Sequence, residues 1–457
     1  MAKDLRTFLK DIEGQNPNEI VRIKKEVDPY FGATGILEKM ERQGDYRIVI
    51  FENIKGSKFP AISNVHADAK RVMGSIGIKN GDIAEFIKEY SKRESHPLKP
   101  KLVSDGPVRE VIKTAGQFDV RELPIFTYHE KDAGAYITAG FGVMRDVDSK
   151  VLNAGIYRLM VKGKDSFGIQ LSETAHGHYI WAKNEKKGKP TEIAIVIGHH
   201  PAFYIGALSF TSLEVDEFSI AGAVMGEPLE LVKCETLDLE VPAYAEMVLE
   251  CEILPELRES EAPFGEYPGT YGPERMNPVL KIKAVTMRKD AYYQESFVGH
   301  PDNLLLSGIV RSSAIMRTVK IASPTVKAVH MPTCGRCRFI CYIALEKIIE
   351  GEPKNAAMGA FVADPFLKYV IVVDDDVNIL DDGDVLHAIA TRVRADTDTF
   401  MVTHAKGSPL DPASYDPLGG SHIVTKVGID ATRKENYPDE IKVPGMEKIN
   451  LSDFIDP

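Results

Sequence analysis

Two glutamates flank a constrained turn in the segment Glu261-Ala-Pro-Phe-Gly-Glu266. Proline fixes its own φ and glycine allows another chain to approach closely, so the segment can hold two carboxyl groups near one another. When carboxyl groups are close together and partly desolvated, one pKa rises, which keeps that group protonated near neutral pH. The pattern indicates an acid/base pair, and a surface turn with two solvated glutamates is the alternative that the spacing leaves open.

The segment Asn153-Ala-Gly-Ile-Tyr-Arg158 carries a second chemical signal. In a strand, residues 154, 156 and 158 share one face, and Asn153 and Tyr157 share the other. An arginine that faces the interior must meet an anion, because an unpaired buried charge is too costly. Arg158 is therefore a candidate for binding an acid, unless the strand exposes it to solvent.

Histidines and acids elsewhere have spacings that occur in metal sites. His176 and His178 form a His-x-His pair, which can bind one metal from a strand, and core or solvated histidines are the alternative. Asp216 and Glu217 precede an apolar helical segment. Acids at that position could bind a metal, but they also stabilise the positive end of a helix without one.

Three of the five cysteines lie in the segment CGRCRFIC, at positions 334, 337 and 341. A zinc or cluster site needs a fourth ligand, for which His330 is the nearest candidate. A glycine turn that leads into a buried segment explains the same residues without a metal. Five cysteines are too few to staple 457 residues, which favours a reducing, cytoplasmic location.

Length and composition indicate a globular protein of two or three domains. The chain has 457 residues, of which 44% are hydrophobic and 27% charged. Its net charge of -11 argues against nucleic acid as the main partner. No apolar stretch reaches the roughly 18 residues of a membrane span. The chain has no GxGxxG after a strand, no P-loop and no GxSxG elbow, so the corresponding enzyme classes lose their usual support.

The elements that must position these residues fall into three zones. The first zone predicts mixed helices and strands, and it ends in a stretch rich in proline and glycine, 93–107. The middle zone has many strand-length segments, which predict a β-rich barrel or sandwich interrupted by the helix-like SIAGAVMG. The last zone returns to α/β, with KYVIVVDDD as a buried parallel strand and DVLHAIATRVR as a helix.

Taken together, these segments resemble the UbiD-like family of prenylated-flavin-dependent decarboxylases. The resemblance covers nearly the whole chain, and it rests on an ordered set of motifs rather than on any single one. The motifs are NAGIYR (153–158), the histidines after QLSETA, DEFSIAG (216–222), LELVKC (229–234), EAPFGEYPG (261–269), VIVVDDDVNI (370–379), SPLDPAS (408–414) and KVGIDAT (426–432).

The resemblance implies an α/β (α+β) fold class with three domains. These are an N-terminal α/β domain (1–107), a central split β-barrel that holds the cofactor (108–305), and a linker helix with a C-terminal α/β oligomerisation domain (306–457). It also implies a homodimer or hexamer. The cofactor would be prenylated FMN, supplied by a partner flavin prenyltransferase, with its phosphate bound through Mn²⁺ or Mg²⁺ and with K⁺ nearby.

The resemblance places the family's catalytic set on Arg158, Glu261 and Glu266. Loss of carbon dioxide from an sp² carbon needs an electron sink that no side chain provides. The modified flavin would supply it through a covalent adduct with the substrate. Glu266 would deliver the replacing proton, and Arg158, paired with Glu261, would orient the substrate carboxylate.

The implied metal ligands, which would also hold the cofactor, are Asn153, His176 and Glu217, with His178 as the other choice of histidine.

Further cofactor contacts would come from Arg158, Ile156 and Leu410. K⁺ would lie at main-chain carbonyls of 207–210. A lysine that some members place near the phosphate has no clear counterpart, because Lys368 is out of register.

The identity of the substrate is the most detailed of these predictions. His300, Leu305 and Arg311 lie in a segment that approaches the substrate pocket in this family. We expect reversible, non-oxidative decarboxylation of an α,β-unsaturated, aromatic or heteroaromatic acid, for example furan-2,5-dicarboxylate. The alternatives are an unsaturated aliphatic acid that carries phosphate, of the anhydromevalonate phosphate type, and a flavin-binding subunit without activity of its own.

Overall fold

The computed structural model describes residues 2–79, 81–172, 175–261, 263–415, 422–438, 441 and 443–454. The helices among these residues are α1 (Leu5–Gln15), α2 (Gly32–Glu41), α3 (Ala69–Gly74), α4 (Ile83–Glu94), α5 (His176–Glu185), α6 (Pro201–Ala207), α7 (Glu217–Met225), α8 (Pro301–Ala322), α9 (Glu352–Ala363) and α10 (Asp382–Arg392). The strands up to residue 200 are β1 (Ile20–Ile23), β2 (Ile48–Phe51), β3 (Ala61–Ser63), β4 (Lys101–Leu102), β5 (Val111–Thr114), β6 (Tyr136–Ile137), β7 (Phe141–Arg145), β8 (Leu152–Ile156), β9 (Leu159–Val161), β10 (Ser166–Ile169) and β11 (Thr191–Ile197). The later strands are β12 (Glu230–Lys233), β13 (Glu240–Pro242), β14 (Met247–Glu261), β15 (Phe264–Gly265), β16 (Tyr271–Gly272), β17 (Arg275–Met287), β18 (Tyr293–Gln294), β19 (Val326–His330), β20 (Ile340–Leu345), β21 (Tyr369–Asp374), β22 (Thr399–Lys406) and β23 (Ile423–Ala431).

The N-terminal part is an α/β unit whose sheet is completed by a strand from further along the chain. The strand order is β1-β2-β3-β18, and the buried strand β2 lies within the predicted segment YRIVIFENI. Leu5, Phe8 and Leu9 recur at helical spacing and pack α1 against this sheet. Asp4 caps α1 by accepting the N–H of Thr7 at 2.7 Å. Because β18 pairs with β3, the N-terminal and central parts share a sheet.

A nine-stranded half-barrel forms the centre of the molecule. Its strand order is β6-β9-β10-β17-β14-β11-β7-β8, with β5 pairing with β17. The long strands β14 and β17 are antiparallel, and β7, β10 and β11 bury nearly every side chain. The predicted central barrel is confirmed, and the helix-like SIAGAVMG lies in α7 and the glycine cap after it.

The C-terminal part begins with α8, a helix of 22 residues, and contains a five-stranded sheet of order β19-β20-β21-β23-β22. Strand β21 runs parallel to β20 and β23 and buries four consecutive apolar residues, as predicted for KYVIVVDDD. The α/β fold with three parts is therefore confirmed. The boundary predicted between 305 and 306 falls inside α8, and the exact domain limits stay a prediction.

The CGRCRFIC segment enters β20 through a short turn. Cys334 is exposed, Cys337 and Cys341 are buried, and all three are free thiols. This matches a turn that leads into a buried strand. In the part of the chain that the structure describes, no helix is both long and apolar enough to cross a membrane.

Candidate active site

Arg158 lies at the break between β8 and β9 and meets both glutamates of the predicted pair. Its Nε donates to Glu261 Oε1 at 2.8 Å, and its Nη1 donates to Glu266. The Glu261 side chain is fully buried at the end of β14, and the Glu266 side chain is 10% exposed. The structure therefore brings the three predicted catalytic side chains together.

Glu261 is held on two sides. Its Oε1 accepts from Arg158, and its Oε2 accepts from Asn277 Nδ2 at 2.7 Å. The guanidinium of Arg158 also lies over the ring of Phe264, 5.1 Å from its centroid. These contacts fix the cation in a single orientation between the two acids.

Glu266 lies on a small hairpin, residues 264–272, which we call the acid hairpin. Strands β15 and β16 pair across it, and the Glu266 N–H donates to Thr270 O at 2.9 Å. A Cβ on Gly272 would lie 3.1 Å from Glu266 Oε1. Glycine at position 272 therefore lets the carboxylate fold back over the partner strand.

The predicted metal ligands also meet. Asn153 on β8 donates through Nδ2 to Glu217 Oε1 at 2.6 Å, and His176 Nδ1 lies 3.6 Å from the same oxygen. The Asn153 Oδ1 atom is buried and has no hydrogen-bond partner among the described residues. Burial raises the pKa of Glu217. His178 turns away, with its ring 5.1 Å from that of Trp181, so His176 is the histidine beside Asn153 and Glu217.

This donor set suits a hard divalent cation that keeps other ligands. It consists of an amide oxygen, an imidazole and a carboxylate, which Mn²⁺ and Mg²⁺ accept. Among the described residues, no group of three or more His, Cys, Asp and Glu side chains is placed to hold a metal. A cation at Asn153 would thus need ligands from a bound molecule or from water.

The loop that carries Leu410 lies beside the acid hairpin. Ser408 Oγ accepts the Leu410 N–H at 3.2 Å and lies 2.8 Å from the hydroxyl of Tyr267 in the hairpin. Lys368, which is out of register with the lysine that some family members place near the phosphate, lies next to this loop. Its Nζ is 2.9 Å from Asp411 Oδ2. The C-terminal part therefore lies against the acid hairpin through this loop.

Sequence reasoning missed Arg338. Its guanidinium lies over the ring of Tyr267, 5.2 Å from the centroid, and its Nη1 is buried with no hydrogen-bond partner in the described part of the chain. Burial, with the positive charge of Arg311 nearby, lowers the pKa of Arg338 to about 10. A half-buried guanidinium whose Nη1 is buried without a hydrogen-bond partner is a candidate anion site. The available signal was an arginine inside a segment that otherwise predicts a buried strand.

The three predicted substrate residues lie in different surroundings. His300 caps α8, with Nδ1 accepting the Asp302 N–H at 3.2 Å, and burial lowers its pKa to about 4, which keeps it neutral. Leu305 lines a small cavity between α3, α4 and α8. Arg311 pairs with Asp364 and lies near Arg338. Contact of these residues with a substrate stays a prediction.

The predictions that remain are the flavin contact of Ile156 and the K⁺ site at the main-chain carbonyls of 207–210. Ile156 is half-buried at the end of β8. In the segment 207–210, the Phe210 carbonyl accepts from Arg317 Nη2 at 3.3 Å, and Ser209 bonds to Glu94. The K⁺ site there and the homodimer or hexamer stay predictions.

Domain models of one family match most of the chain. They are the N-terminal (14–90), Rift-related (101–301) and C-terminal (305–431) domains of 3-octaprenyl-4-hydroxybenzoate carboxy-lyase, or UbiD. An anhydromevalonate phosphate decarboxylase from Methanothermobacter thermautotrophicus is 36% identical over 428 residues, 94% of this chain and 96% of the relative.

Solved structures agree with these matches. The UbiD-class enzyme HmfF from Pelotomaculum thermopropionicum, in complex with FMN, has a TM-score of 0.93 and 40% identity, covering 99% of this chain and 100% of that one. An evolved dimeric form of HmfF in complex with prFMN has a TM-score of 0.89 and 37% identity, with the same coverage. The chain therefore belongs to the UbiD family of carboxy-lyases.

Proposed function

We propose that this carboxy-lyase uses prenylated FMN to remove carbon dioxide from an α,β-unsaturated, aromatic or heteroaromatic acid. The observation that carries the proposal is Arg158 held between Glu261 and Glu266. A carboxylate substrate needs a cationic partner, and the carbon that loses carbon dioxide needs an acid to protonate it. The cluster contains both kinds of group.

The residues present fit the cofactor. HmfF was solved with FMN, an evolved dimeric form of it was solved with prFMN, and each structure matches 99% of this chain. Asn153, His176 and Glu217 would hold the divalent cation that binds the cofactor phosphate, and the unpaired Asn153 Oδ1 supports this role. When bound, prenylated FMN supplies the electron sink that departure of carbon dioxide requires. A flavin prenyltransferase would provide this cofactor.

Arg158 would orient the substrate carboxylate. A guanidinium has five N–H donors, and those on Nε and Nη1 are directed at the two glutamates. Others can bind a substrate carboxylate in a fixed plane. Glu261, bonded also to Asn277, would keep the guanidinium in place while the substrate enters and the product leaves.

Glu266 would deliver the proton. Arg158 is its side-chain partner, and the facing Gly272 leaves room for its carboxyl. In the net reaction the C–C bond to the carboxyl group breaks, carbon dioxide leaves, and a C–H bond forms with a proton from Glu266. Solvent then reprotonates Glu266, and no net oxidation or reduction occurs.

We propose further that the substrate carries a second anionic group. Arg338 contacts Tyr267, the neighbour of Glu266, so it lies at the acid-hairpin end of the site. Asn153 lies near the start of β8, roughly 10 Å along the extended strand from Ile156 at its end, and Arg158 follows that end, so the phosphate-binding end would lie at the other end of the strand. A guanidinium with a buried, unpartnered Nη1 beside the acid hairpin favours a dicarboxylate such as furan-2,5-dicarboxylate.

A second candidate is an unsaturated acid that carries phosphate. The relative from Methanothermobacter thermautotrophicus is an anhydromevalonate phosphate decarboxylase, and Arg338 would suit a phosphate as well as a carboxylate. The Phe264 and Tyr267 rings beside Arg158 and Arg338 favour the planar aromatic acid over the aliphatic one.

The test uses the chain co-expressed with a flavin prenyltransferase and supplied with Mn²⁺ and K⁺. Carbon dioxide release is measured with furan-2,5-dicarboxylate, with furan-2-carboxylate and with anhydromevalonate phosphate. We expect kcat/KM for the dicarboxylate to exceed that for the monocarboxylate by about ten-fold or more, and Arg338→Leu to remove most of this preference. Bound prenylated FMN without carbon dioxide release from any of these acids would support the non-catalytic alternative.

A further inference from the structure

A short loop, residues 129–133, packs against the back of the acid hairpin, and we call it the clamp loop. Asp132 Oδ1 accepts the Gly265 N–H at 2.8 Å. On either side of this bond, the Ala133 N–H donates to Pro263 O at 3.0 Å, and the Lys131 N–H donates to Tyr271 Oη at 3.1 Å. The clamp loop therefore contacts the hairpin and the residue before it at three points.

Asp132 is the central contact. Its side chain is fully buried, and its second oxygen, Oδ2, accepts the His129 N–H of its own loop at 2.9 Å. Each carboxylate oxygen thus binds a backbone amide, one in the clamp loop and one in the acid hairpin. A buried carboxylate is tolerated only when it is hydrogen-bonded, and bonds to an ionised acceptor are about twice as strong as neutral ones. Asp132 is therefore a firm link between two backbone segments.

The clamp loop also packs tightly against the backbone of Gly265. A Cβ at this position would lie 2.2 Å from His129 Nδ1, so the imidazole rests directly on the glycine backbone. Gly265 immediately precedes Glu266, so a shift of its backbone moves the carboxyl that meets Arg158. A displacement of about 1 Å at a reacting group can cost a hundred-fold in rate.

We propose that Asp132 is a positioning residue that holds Glu266 against Arg158 by fixing the backbone of the acid hairpin. This inference rests on the proposed role of Glu266 as the proton donor. Asp132 touches neither Arg158 nor the Glu266 carboxyl in the described contacts, so it acts through Gly265.

The first measurement is hydrogen–deuterium exchange on the purified chain, which needs no cofactor and no substrate. Asp132→Ala removes the acceptor of the Gly265 N–H, and Asp132→Asn keeps one acceptor oxygen. We expect exchange in a peptide that covers 264–272 to be fastest in Asp132→Ala and intermediate in Asp132→Asn. A peptide that covers β21 is expected to be unchanged. Equal exchange of the hairpin peptide in wild type and both variants would overturn the proposal.

The second measurement is turnover per bound prenylated flavin. We expect kcat to fall about ten-fold in Asp132→Asn and about a hundred-fold in Asp132→Ala, with KM changed little. Tyr271→Phe removes the hydroxyl that accepts the Lys131 N–H, a partly exposed contact between the clamp loop and the hairpin, and should lower kcat about two-fold. This variant tests the proposal if the Asp132 variants fold poorly. In the control Asp119→Asn, which changes the carboxylate that accepts the Arg121 N–H, kcat should stay at the wild-type value.

The outcomes separate the two ideas. A purely structural role for Asp132 would lower the melting temperature and the flavin content but leave kcat per bound flavin unchanged, which would overturn positioning. If the wild-type holoenzyme releases no carbon dioxide from any acid, the proposed function fails. In that case the exchange measurement still decides whether the clamp loop fixes the hairpin.

Discussion

Two groups of polar side chains lie at opposite ends of the segment 153–158, one around Asn153 and the other around Arg158. They differ in how far the protein itself pairs their charges and hydrogen-bonding atoms. At the Arg158 end, the guanidinium forms ion pairs with two carboxylates of the same chain, Glu261 and Glu266. At the Asn153 end, an amide oxygen is buried without a partner, and burial raises the pKa of Glu217. The first group pairs its charges within the protein, whereas the second leaves a buried amide oxygen without a hydrogen-bond partner among the described residues.

This difference assigns different work to the two ends. A preorganised charge cluster stabilises a transition state without reorganising, so changes at Arg158, Glu261 or Glu266 should act on turnover. A donor set that is completed by a metal couples binding to that metal, so changes at Asn153, His176 or Glu217 should act on cofactor retention.

The largest expected effect is from Glu266→Gln. The amide keeps the shape of the side chain but has no acidic proton to give, so we expect turnover to fall by about a thousand-fold. The flavin should stay bound, because the Asn153 end is intact. Carbon dioxide release and the visible absorbance of the bound flavin measure both quantities. A variant with normal turnover would remove Glu266 from its role.

The next largest effect is expected from Arg158→Ala. The substrate carboxylate loses its partner, and Glu261 and Glu266 are left without their shared cation, so kcat/KM should fall by more than about ten-fold. Steady-state kinetics at a fixed flavin content would check this. An unchanged kcat/KM would show that another group binds the reacting carboxylate.

Glu217→Gln tests the Asn153 end, where a change should affect cofactor binding rather than turnover. We expect at least about a ten-fold loss in Mn²⁺ affinity and a lower ratio of flavin to protein, with near-normal turnover for each flavin that stays bound. Metal analysis and absorbance give the two ratios, and removal of metal from the wild type by a chelator should have the same effect. Full flavin content without metal would contradict the assignment of this site.

The smallest expected effect is on the pH dependence of stability. It comes from Glu295, a buried carboxyl that belongs to neither group. Burial, with the nearby charge of Asp302, raises the pKa of Glu295 to about 8. Its folded-state pKa exceeds the unfolded value of about 4.3, so its contribution to stability is full below about pH 4 and is lost as pH rises to 8.

Glu295→Gln removes this pH dependence. Between pH 5 and pH 8, we expect the melting temperature of the variant to fall by about 3 °C less than that of the wild type. Thermal unfolding at several pH values measures the difference, with flavin content as the control. Parallel curves for the two proteins would show that Glu295 is ionised throughout this range.

The sequence allowed much of this site to be predicted, because the informative residues lie in local motifs. The strand NAGIYR and the turn EAPFGE each limit where a side chain can point, and Arg158, Glu261 and Glu266 do meet. Local pattern also predicted α7 and β21, since apolar spacing determines which face is buried.

The contacts that sequence reasoning missed join distant parts of the chain. Asp132 binds Gly265, 133 residues away, and no local pattern indicates such a pairing. Arg338 lies in a segment whose apolar neighbours predict burial, and its orientation toward Tyr267 depends on how the C-terminal part packs. His300 has a role that sequence reasoning did not indicate, because its Nδ1 caps α8, while its contact with the substrate stays a prediction.

Deuterium content of the product tests the central claim most directly. The holoenzyme would be run with furan-2,5-dicarboxylate in D₂O, and the product would be analysed by mass spectrometry for wild type and Glu266→Gln. We predict one deuterium at the carbon that lost carbon dioxide with the wild type, and almost no labelled product with the variant over the same time. Equal labelling and equal yield from both proteins would contradict the account.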